Sequence, residues 1–532
     1  MSLQSRTAAG TGRTRLRSVL DGRASGILLH LTSLPGPHGN GDLGGEAREF
    51  ADFLAAAEQS YWQMLPVGPC GYGNSPYSAQ SAFAGNPLLI ALSPLVQAGL
   101  LPAAALSGAP RFAAERVDYA AAERFRTACL RRAFEAGRSD PQLAAFRERE
   151  RSWLEDYALF RALKSQHGER EWTQWQPEYR DRVPAALARA GRELADEVAF
   201  RAFEQWLFDV QWRELRGHCH AQGVSLIGDI PIFVAHDSAD VWQHRELFHL
   251  DATGLPSLVS GVPPDYFSAT GQRWGNPLYR WDVLRDTGYT FWVERMRSML
   301  ERFDVIRLDH FIGFERYWEI PASESTAVNG RWRPGPSADL FLTLAEKLGG
   351  LPLIAEDLGA ITPEVKALRD RFELPGIRIL QFAFGTDQSA PDFLPHNYPR
   401  RAVVYTGTHD NDTVQGWFSA HDELREGQES STRTLEQIEK ERAAVLAYLG
   451  VADGANIHWD MIRMCMLSVA DTALFPLQDV LGLGSEARMN RPGKASGNWE
   501  WRCAEGAASA EVAERLAELT RRYERQRTSE RP

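Results

Sequence analysis

The sequence predicts a parallel (β/α)8 barrel carrying insertions. Three short apolar runs suggest it, because each ends on charge. Val305-Ile306 runs into Arg307-Leu308-Asp309-His310, Leu353-Ile354-Ala355 into Glu356-Asp357, and Ala402-Val403-Val404-Tyr405 into Thr406-Gly407-Thr408-His409-Asp410-Asn411-Asp412. Short apolar runs bounded by turn signals are the pattern of buried strands. Helical segments separate them, and five similar runs bring the count to eight, the number a parallel barrel requires. Barrels of this kind gather their reactive groups at the strands' C-terminal ends.

The elements follow in order. Residues 1–22 begin Arg-rich, with no acid before Asp21, and are expected to form a disordered tail outside the fold. Residues 26–31 read as the first strand, 46–59 as a helix with Phe50, Phe53 and Leu54 on its buried side, and 61–67 as the second strand. Residues 68–87 are Gly-rich, polar and aromatic, and too long for a plain connection. From 100 to 222 Ala, Arg, Glu and Leu dominate, with helical periodicity at 120–137, 142–165 and 187–222. This stretch is expected to be a helical insertion, its Arg and Glu runs lying on solvated faces. The barrel itself is then built from 23–99 and 223–532.

The third strand is read at 224–230, ending near Asp229. A long excursion, 231–282, follows, with paired prolines and aromatic residues. A helix at 283–302 leads to the fourth strand and Asp309. A helix at 340–348 precedes the fifth strand, 353–356, and one at 363–372 the sixth, 376–384. Strand seven is read at 402–406 and strand eight at 474–480; the tail after 501 reads as helical and charged.

Bulk properties narrow the function classes. The chain of 532 residues is 44% hydrophobic and 24% charged, ordinary for a globular protein. Its formal net charge of -11 argues against a nucleic-acid partner, which requires a basic face. No apolar run approaches the roughly 20 residues that span a bilayer. The five cysteines are scattered, odd in number and without CxxC spacing, which signals neither zinc nor a disulfide framework and fits a reducing cytoplasm. No protein partner is evident.

Strand parity organises the candidate chemistry. Side chains alternate between faces, so Arg307 and Asp309 point one way and Leu308 the other, and only one of Glu356 and Asp357 can join them. A cation beside Asp309 favours its ionised form. A structural ion pair explains Arg307 and Asp309 equally well; two further strands ending in acid favour a site. Strands four and five are neighbours in a barrel, about 4.8 Å apart, which suits two carboxylates flanking one bond. Asp410 and Asp412 share one parity, and alternation does not choose between them.

Six ordered motifs carry a family resemblance: Gly73-Asn74-Ser75-Pro76-Tyr77, Gly228-Asp229-Ile230-Pro231-Ile232-Phe233, Gly261-Val262-Pro263-Pro264-Asp265-Tyr266-Phe267, Arg307-Leu308-Asp309-His310, Ala355-Glu356-Asp357-Leu358-Gly359 and Thr408-His409-Asp410-Asn411-Asp412-Thr413. From about residue 26 to about 501 the chain resembles the amylomaltases, the 4-alpha-glucanotransferases of the alpha-amylase clan. That resemblance implies a retaining transferase acting on maltodextrins, with Asp309 as nucleophile, Glu356 as acid/base and Asp410 as transition-state stabiliser. It implies that Ser75, Tyr77, Asp229, Phe267, Gln272, Trp274, Asn276, Arg307, His310, Asn397, His409 and Asn498 line the glucan cleft, with 261–276 as a lid. No clustered ligand set stands apart from these carboxylates, so no metal is expected, and no cofactor. A hydrolase of the same clan would share the carboxylates, differing in whether sugar or water resolves the intermediate. A non-catalytic glucan-binding barrel is the reading from another class, and the intact Asp309, Glu356 and Asp410 argue against it.

Overall fold

The computed structural model describes residues 20, 22–264, 268–420, 434–494 and 496–526. The expected tail therefore lies almost entirely outside the described residues, as does Phe267. Eight strands close a parallel barrel: β1 (Ala24–Leu28), β2 (Tyr61–Gln63), β3 (Ser225–Ile230), β6 (Val305–Leu308), β9 (Leu353–Ala355), β10 (Gly376–Ile379), β11 (Ala402–Tyr405) and β12 (Thr472–Pro476). Spatially they run β1-β12-β11-β10-β9-β6-β3-β2 and back to β1. Inward-facing Tyr61, Ile227, Val305, Ile354, Ile377, Val403, Tyr405 and Leu474 pack one cluster inside the barrel, which is therefore a filled core. Gly228 faces outward, where a Cβ would come within 2.4 Å of the Phe303 ring; only glycine lets that ring close on β3.

Several strands end earlier than their apolar runs. β2 stops at Gln63, and β10 gives way to a 3-10 turn at Leu380–Phe384. β12 turns into a short helix at Leu477–Val480. In each case apolar residues continue past the ladder because the turn after it is buried too. The helical region is broken more often than its periodicity suggests. Pro141–Arg149 and Arg151–Gln166 meet at Glu150, and Pro184–Glu193 and Ala195–Ala221 meet at Leu194. The last of these helices also serves the barrel. Its Glu214 and His218 bond Arg48 and Asp52 of the helix Gly45–Ala56, and its Trp212 packs on Phe303. Among the described residues, no helix is long and apolar enough to cross a membrane.

The sequence reading contains no second sheet, yet one is present. β4 (Leu258–Val262), β5 (Gln272–Pro277), β7 (Arg316–Pro321) and β8 (Arg331–Pro334) form a four-stranded antiparallel sheet in the order β5-β4-β7-β8. The expected lid loop 261–276 is thus mostly a hairpin, β4–β5, held along its length by β7.

The barrel's seam is closed by the C-terminal region. Arg525 is fully buried and donates to the backbone oxygens of Ala24, Cys465, Met466, Ser468, Ala470 and Asp471. It therefore ties the start of β1 to the segment leading into β12. Replacing Arg525 by Ala strands these carbonyls, and a buried acceptor left unpaired costs about 1–3 kcal/mol. We expect Arg525→Ala to lower the thermal unfolding midpoint while leaving kcat per folded molecule unchanged. An unchanged midpoint by calorimetry would show that the seam holds without it.

Candidate active site

The site is built on the register of three adjacent strands. Asp229 on β3 pairs with Arg307 on β6, and Arg307 pairs with Ile354 on β9. Two residues further along both β6 and β9, the same register puts Asp309 beside Glu356. The backbone stays paired there: Glu356 N donates to Leu308 O at 3.1 Å, and after a one-residue irregularity at His310 the Phe311 amide donates to Glu356 O at 3.0 Å. Asp357, of opposite parity, turns away to Arg369 and to the Ile377 amide.

One guanidinium nitrogen joins two acids. Arg307 Nη1 donates to Asp229 Oδ1 and Oδ2 at 2.9 and 2.7 Å, and to Asp309 Oδ1 at 2.9 Å. Burial penalises this cation, but Asp229 and Asp309 outweigh the penalty and hold it charged. Asp229 is enclosed, whereas the Asp309 side chain remains 28% exposed. Glu356 behaves differently. Burial drives its carboxyl well above the usual carboxylate range; Arg307 opposes this and the Asp309 charge reinforces it. Its Oε2 accepts from the His310 amide at 2.6 Å. His310 adopts the left-handed region, with φ of 52°, uncommon for a residue with a side chain and typical of functional sites. Its Nε2 is buried without a hydrogen-bond partner, and burial lowers its pKa to about 4, so the ring is neutral near pH 7.

The loop after β2 supplies Tyr77. Gly73, at φ of 66°, and a pairing of Cys70 with Ala79 close this loop on itself. Ser75 Oγ accepts from the Tyr77 amide at 3.3 Å. Tyr77 donates its hydroxyl to Asp229 Oδ2 at 2.8 Å and stacks on His409 with ring centroids 5.1 Å apart. Trp499 packs against both rings. The loop after β11 carries His409 and Asp410. Asp410 Oδ1 accepts from Asn490 Nδ2 at 2.6 Å and lies 3.4 Å from His409 Nε2. Asp412 instead takes Ser485 Oγ and the Thr413 amide, so its carboxylate is committed to the loop's own frame.

On the far side, the β4–β5 hairpin presents Trp274 edge-on to His310, with centroids 4.7 Å apart, and Gln272 accepts from the Trp274 indole. Asn276 donates to Val234 O, and Asn498, just before Trp499, accepts from the Arg491 amide and donates to Lys494 O. Asn397 lies on an exposed 3-10 turn after β10 with its amide bound to Pro391 O. Among the described residues no hydrogen bond or ring contact ties Asn397 or Asn276 to the carboxylates. Asn490 and Trp499 were not singled out from sequence. Both lie in the Gly- and Pro-containing stretch after β12, where a loop at the same barrel mouth could have been anticipated.

A family profile described as 4-alpha-glucanotransferase matches residues 29–508. The chain belongs to that family. It is 52% identical to the 4-alpha-glucanotransferase of Thermus thermophilus over 514 residues, 94% of this chain and 99% of that one. It is 49% identical to the 4-alpha-glucanotransferase of a Synechocystis species, over 91% of this chain and 94% of that one. Among solved structures, an amylomaltase from Streptococcus agalactiae in complex with acarbose matches with a TM-score of 0.89 and 35% identity, covering 95% of this chain and all of that one. The Corynebacterium glutamicum amylomaltase, at 19% identity and a TM-score of 0.76, shares the fold. Family membership makes this chain a 4-alpha-glucanotransferase-type enzyme, here on a closed parallel barrel.

Arg307 can be tested directly. Removing one partner of a buried ion pair costs about 3–5 kcal/mol, because the other charge is left uncompensated. We expect Arg307→Met to lower stability by an amount of that order and Asp229→Asn to relieve part of the loss in the double variant. Thermal unfolding of the two single variants and the double variant checks this. Additive losses would mean that the ion pair does not couple these strands.

Proposed function

We propose that Asp309, Glu356 and Asp410 carry the glucan transfer that family membership assigns to this chain. The carrying observation is the strand register that sets Asp309 beside Glu356, with Arg307 bound to Asp309 alone of the two. Asp309 is the nucleophile: its carboxylate attacks the anomeric carbon, and Arg307 holds the attacking oxygens in place. Glu356 is the acid. Its raised pKa keeps a proton available for the glycosidic oxygen of the departing chain. The glycosyl-enzyme ester then waits for an acceptor. Glu356, now a carboxylate, takes the proton from an incoming 4-hydroxyl, which attacks the same carbon and restores an alpha linkage. Asp410, with its side chain 48% exposed towards the mouth, stabilises the positive charge that develops on the ring in both steps.

The surrounding groups support a glucan of several units. Tyr77, partly exposed and backed by the buried His409 and Trp499, offers one ring to the mouth, and the exposed Trp274 offers another. The neutral His310, with an unpaired Nε2, can donate to or accept from a sugar hydroxyl. The Streptococcus agalactiae relative's complex with acarbose supports the same ligand chemistry in this cleft. Maltodextrins are the proposed substrates. Five free thiols support a reducing cytoplasm as the setting.

Incubation with maltotriose tests the reading. Longer maltodextrins plus glucose are expected from the native chain; glucose and maltose alone would make it a hydrolase. Asp309→Asn and Glu356→Gln should each lose turnover by several orders of magnitude while keeping the native circular dichroism. Glu356→Gln should still release fluoride from alpha-maltosyl fluoride, whose leaving group needs no proton. Native-like turnover of maltotriose by either variant would overturn the assignment.

The hairpin yields a separate prediction. Trp274 carries neither proton nor charge for the reaction, so Trp274→Ala should cleave but hold acceptors less well. A stacked ring contributes on the order of 1 kcal/mol beyond its buried area, and about 1.36 kcal/mol is tenfold in rate, so hydrolysis relative to transfer should rise several-fold. The measure is reducing ends gained per glucose released, since transfer conserves reducing ends. An unchanged ratio would make Trp274 a packing residue.

A further inference from the structure

The loop that carries His409 and Asp410 is packed through the His409 ring, which meets Tyr77 and Trp499. Behind it lies a small cleft of about 30 Å³, lined by Thr408, His409, Asn411, Asp412 and Thr413 on the loop side. His30, Gln478 and Asp479 face them across it. The two ends of the loop are fixed by polar ties. Asp479 makes the two that matter most. It follows β12 on the short helix Leu477–Val480 and is 1% exposed. Its Oδ2 accepts from Thr406 Oγ1 at 2.5 Å, and its Oδ1 accepts from the Val414 amide at 2.7 Å. Thr406 is the first residue after β11, and Val414 is the first residue of the next helix. A single carboxylate thus fastens both ends of the loop to the neighbouring strand. Within the loop, Asn411 Oδ1 takes the Thr408 amide and hydroxyl, folding the tight turn from which Asp410 projects.

We propose that Asp479 is a positioning residue for the reaction: it clamps the loop 406–414 so that Asp410 keeps its place opposite the Asp309–Glu356 pair. The inference rests on the assignment of Asp410 given above. Asp479 touches neither sugar nor reacting atoms, and its effect passes entirely through Asp410 and His409. Burial pushes the Asp479 carboxyl up to about 7, so the clamp is an enclosed acid with no cation of its own, costly to keep unless it holds something in place.

The clamp makes distinct demands on two variants. In Thr406→Val the hydroxyl is lost at one end; in Thr406→Ser it is kept. Misplacing a catalytic group by about 1 Å can cost on the order of 100-fold, so we expect Thr406→Val and Asp479→Ala each to lower kcat about 10- to 100-fold with KM for maltotriose close to native. Thr406→Ser and Asp479→Asn, which keep a bond at both ends, should recover most of that loss. Inhibition by acarbose, whose flattened ring mimics the charged transition state, should weaken in parallel with kcat. A partly unfolded sample would lose kcat without changing that inhibition constant. Should Asp479→Ala fail to fold, the Thr406 pair decides. Native kcat in Thr406→Val, or no recovery in Thr406→Ser, overturns the proposal. Asp410→Asn is measured alongside: if it is fully active, the assignment of Asp410 has failed rather than the clamp.

Discussion

One buried cation shared by two acids is the constraint on which the site depends. Arg307 lies on the fourth barrel strand, where water cannot screen it, and its Nη1 meets Asp229 on one neighbour and Asp309 on its own strand. Desolvating three charges is expensive unless geometry returns the cost, and here the strand register supplies the geometry. Slipping β6 by one residue against β3 would leave all three side chains facing apolar neighbours. The triad therefore specifies the alignment of these strands as strongly as their apolar residues do. The same alignment brings Glu356 next to Asp309, where burial, reinforced by the Asp309 charge, drives the Glu356 carboxyl above its usual range.

Around that fixed centre the mouth is assembled from loops, each with its own way of being held. The loop after β2 is closed by its own backbone and anchored by Tyr77 on Asp229. The loop after β11 is tied by Asp479, Gln381, Asn490 and Arg488. The stack of Tyr77 on His409 joins these two loops, although two strands separate β2 from β11 in the barrel. Opposite them stands a hairpin belonging to another sheet. The barrel positions the acids; the rings arrive from independent supports, a division suited to a long, floppy polymer that must slide between cycles.

Much of this was legible in the chain, and the reasons for the rest are physical. Buried parallel strands advertise themselves as apolar runs, and parity alone put Arg307 and Asp309 on one face. The second sheet left no such trace. Arg316-Tyr317-Trp318-Glu319 and Arg331-Trp332-Arg333-Pro334 are half-exposed and charged, so they read as loop. Strand ends were overrun because the turns after β10 and β12 are themselves buried. Helix breaks at Glu150 and Leu194 carry no glycine or proline at the junction, and tertiary packing, not local signal, makes them. Asp410 and Asp412 share a parity, and their separation depends on Ser485 and Asn490, some eighty residues away. Long-range partners of that kind have no local pattern.

The barrel's seam has a temporal side as well. β1 pairs along its whole length with β12, and Arg525 bonds carbonyls on both sides of that junction. On a ribosome the first strand emerges long before its partner. At roughly 5–20 residues per second, the interval between residue 28 and residue 472 lasts on the order of a minute or less, during which β1 presents an open edge. The strands between them can align progressively, but closure waits for β12, and until then the nascent barrel is a curled sheet in need of protection from its neighbours.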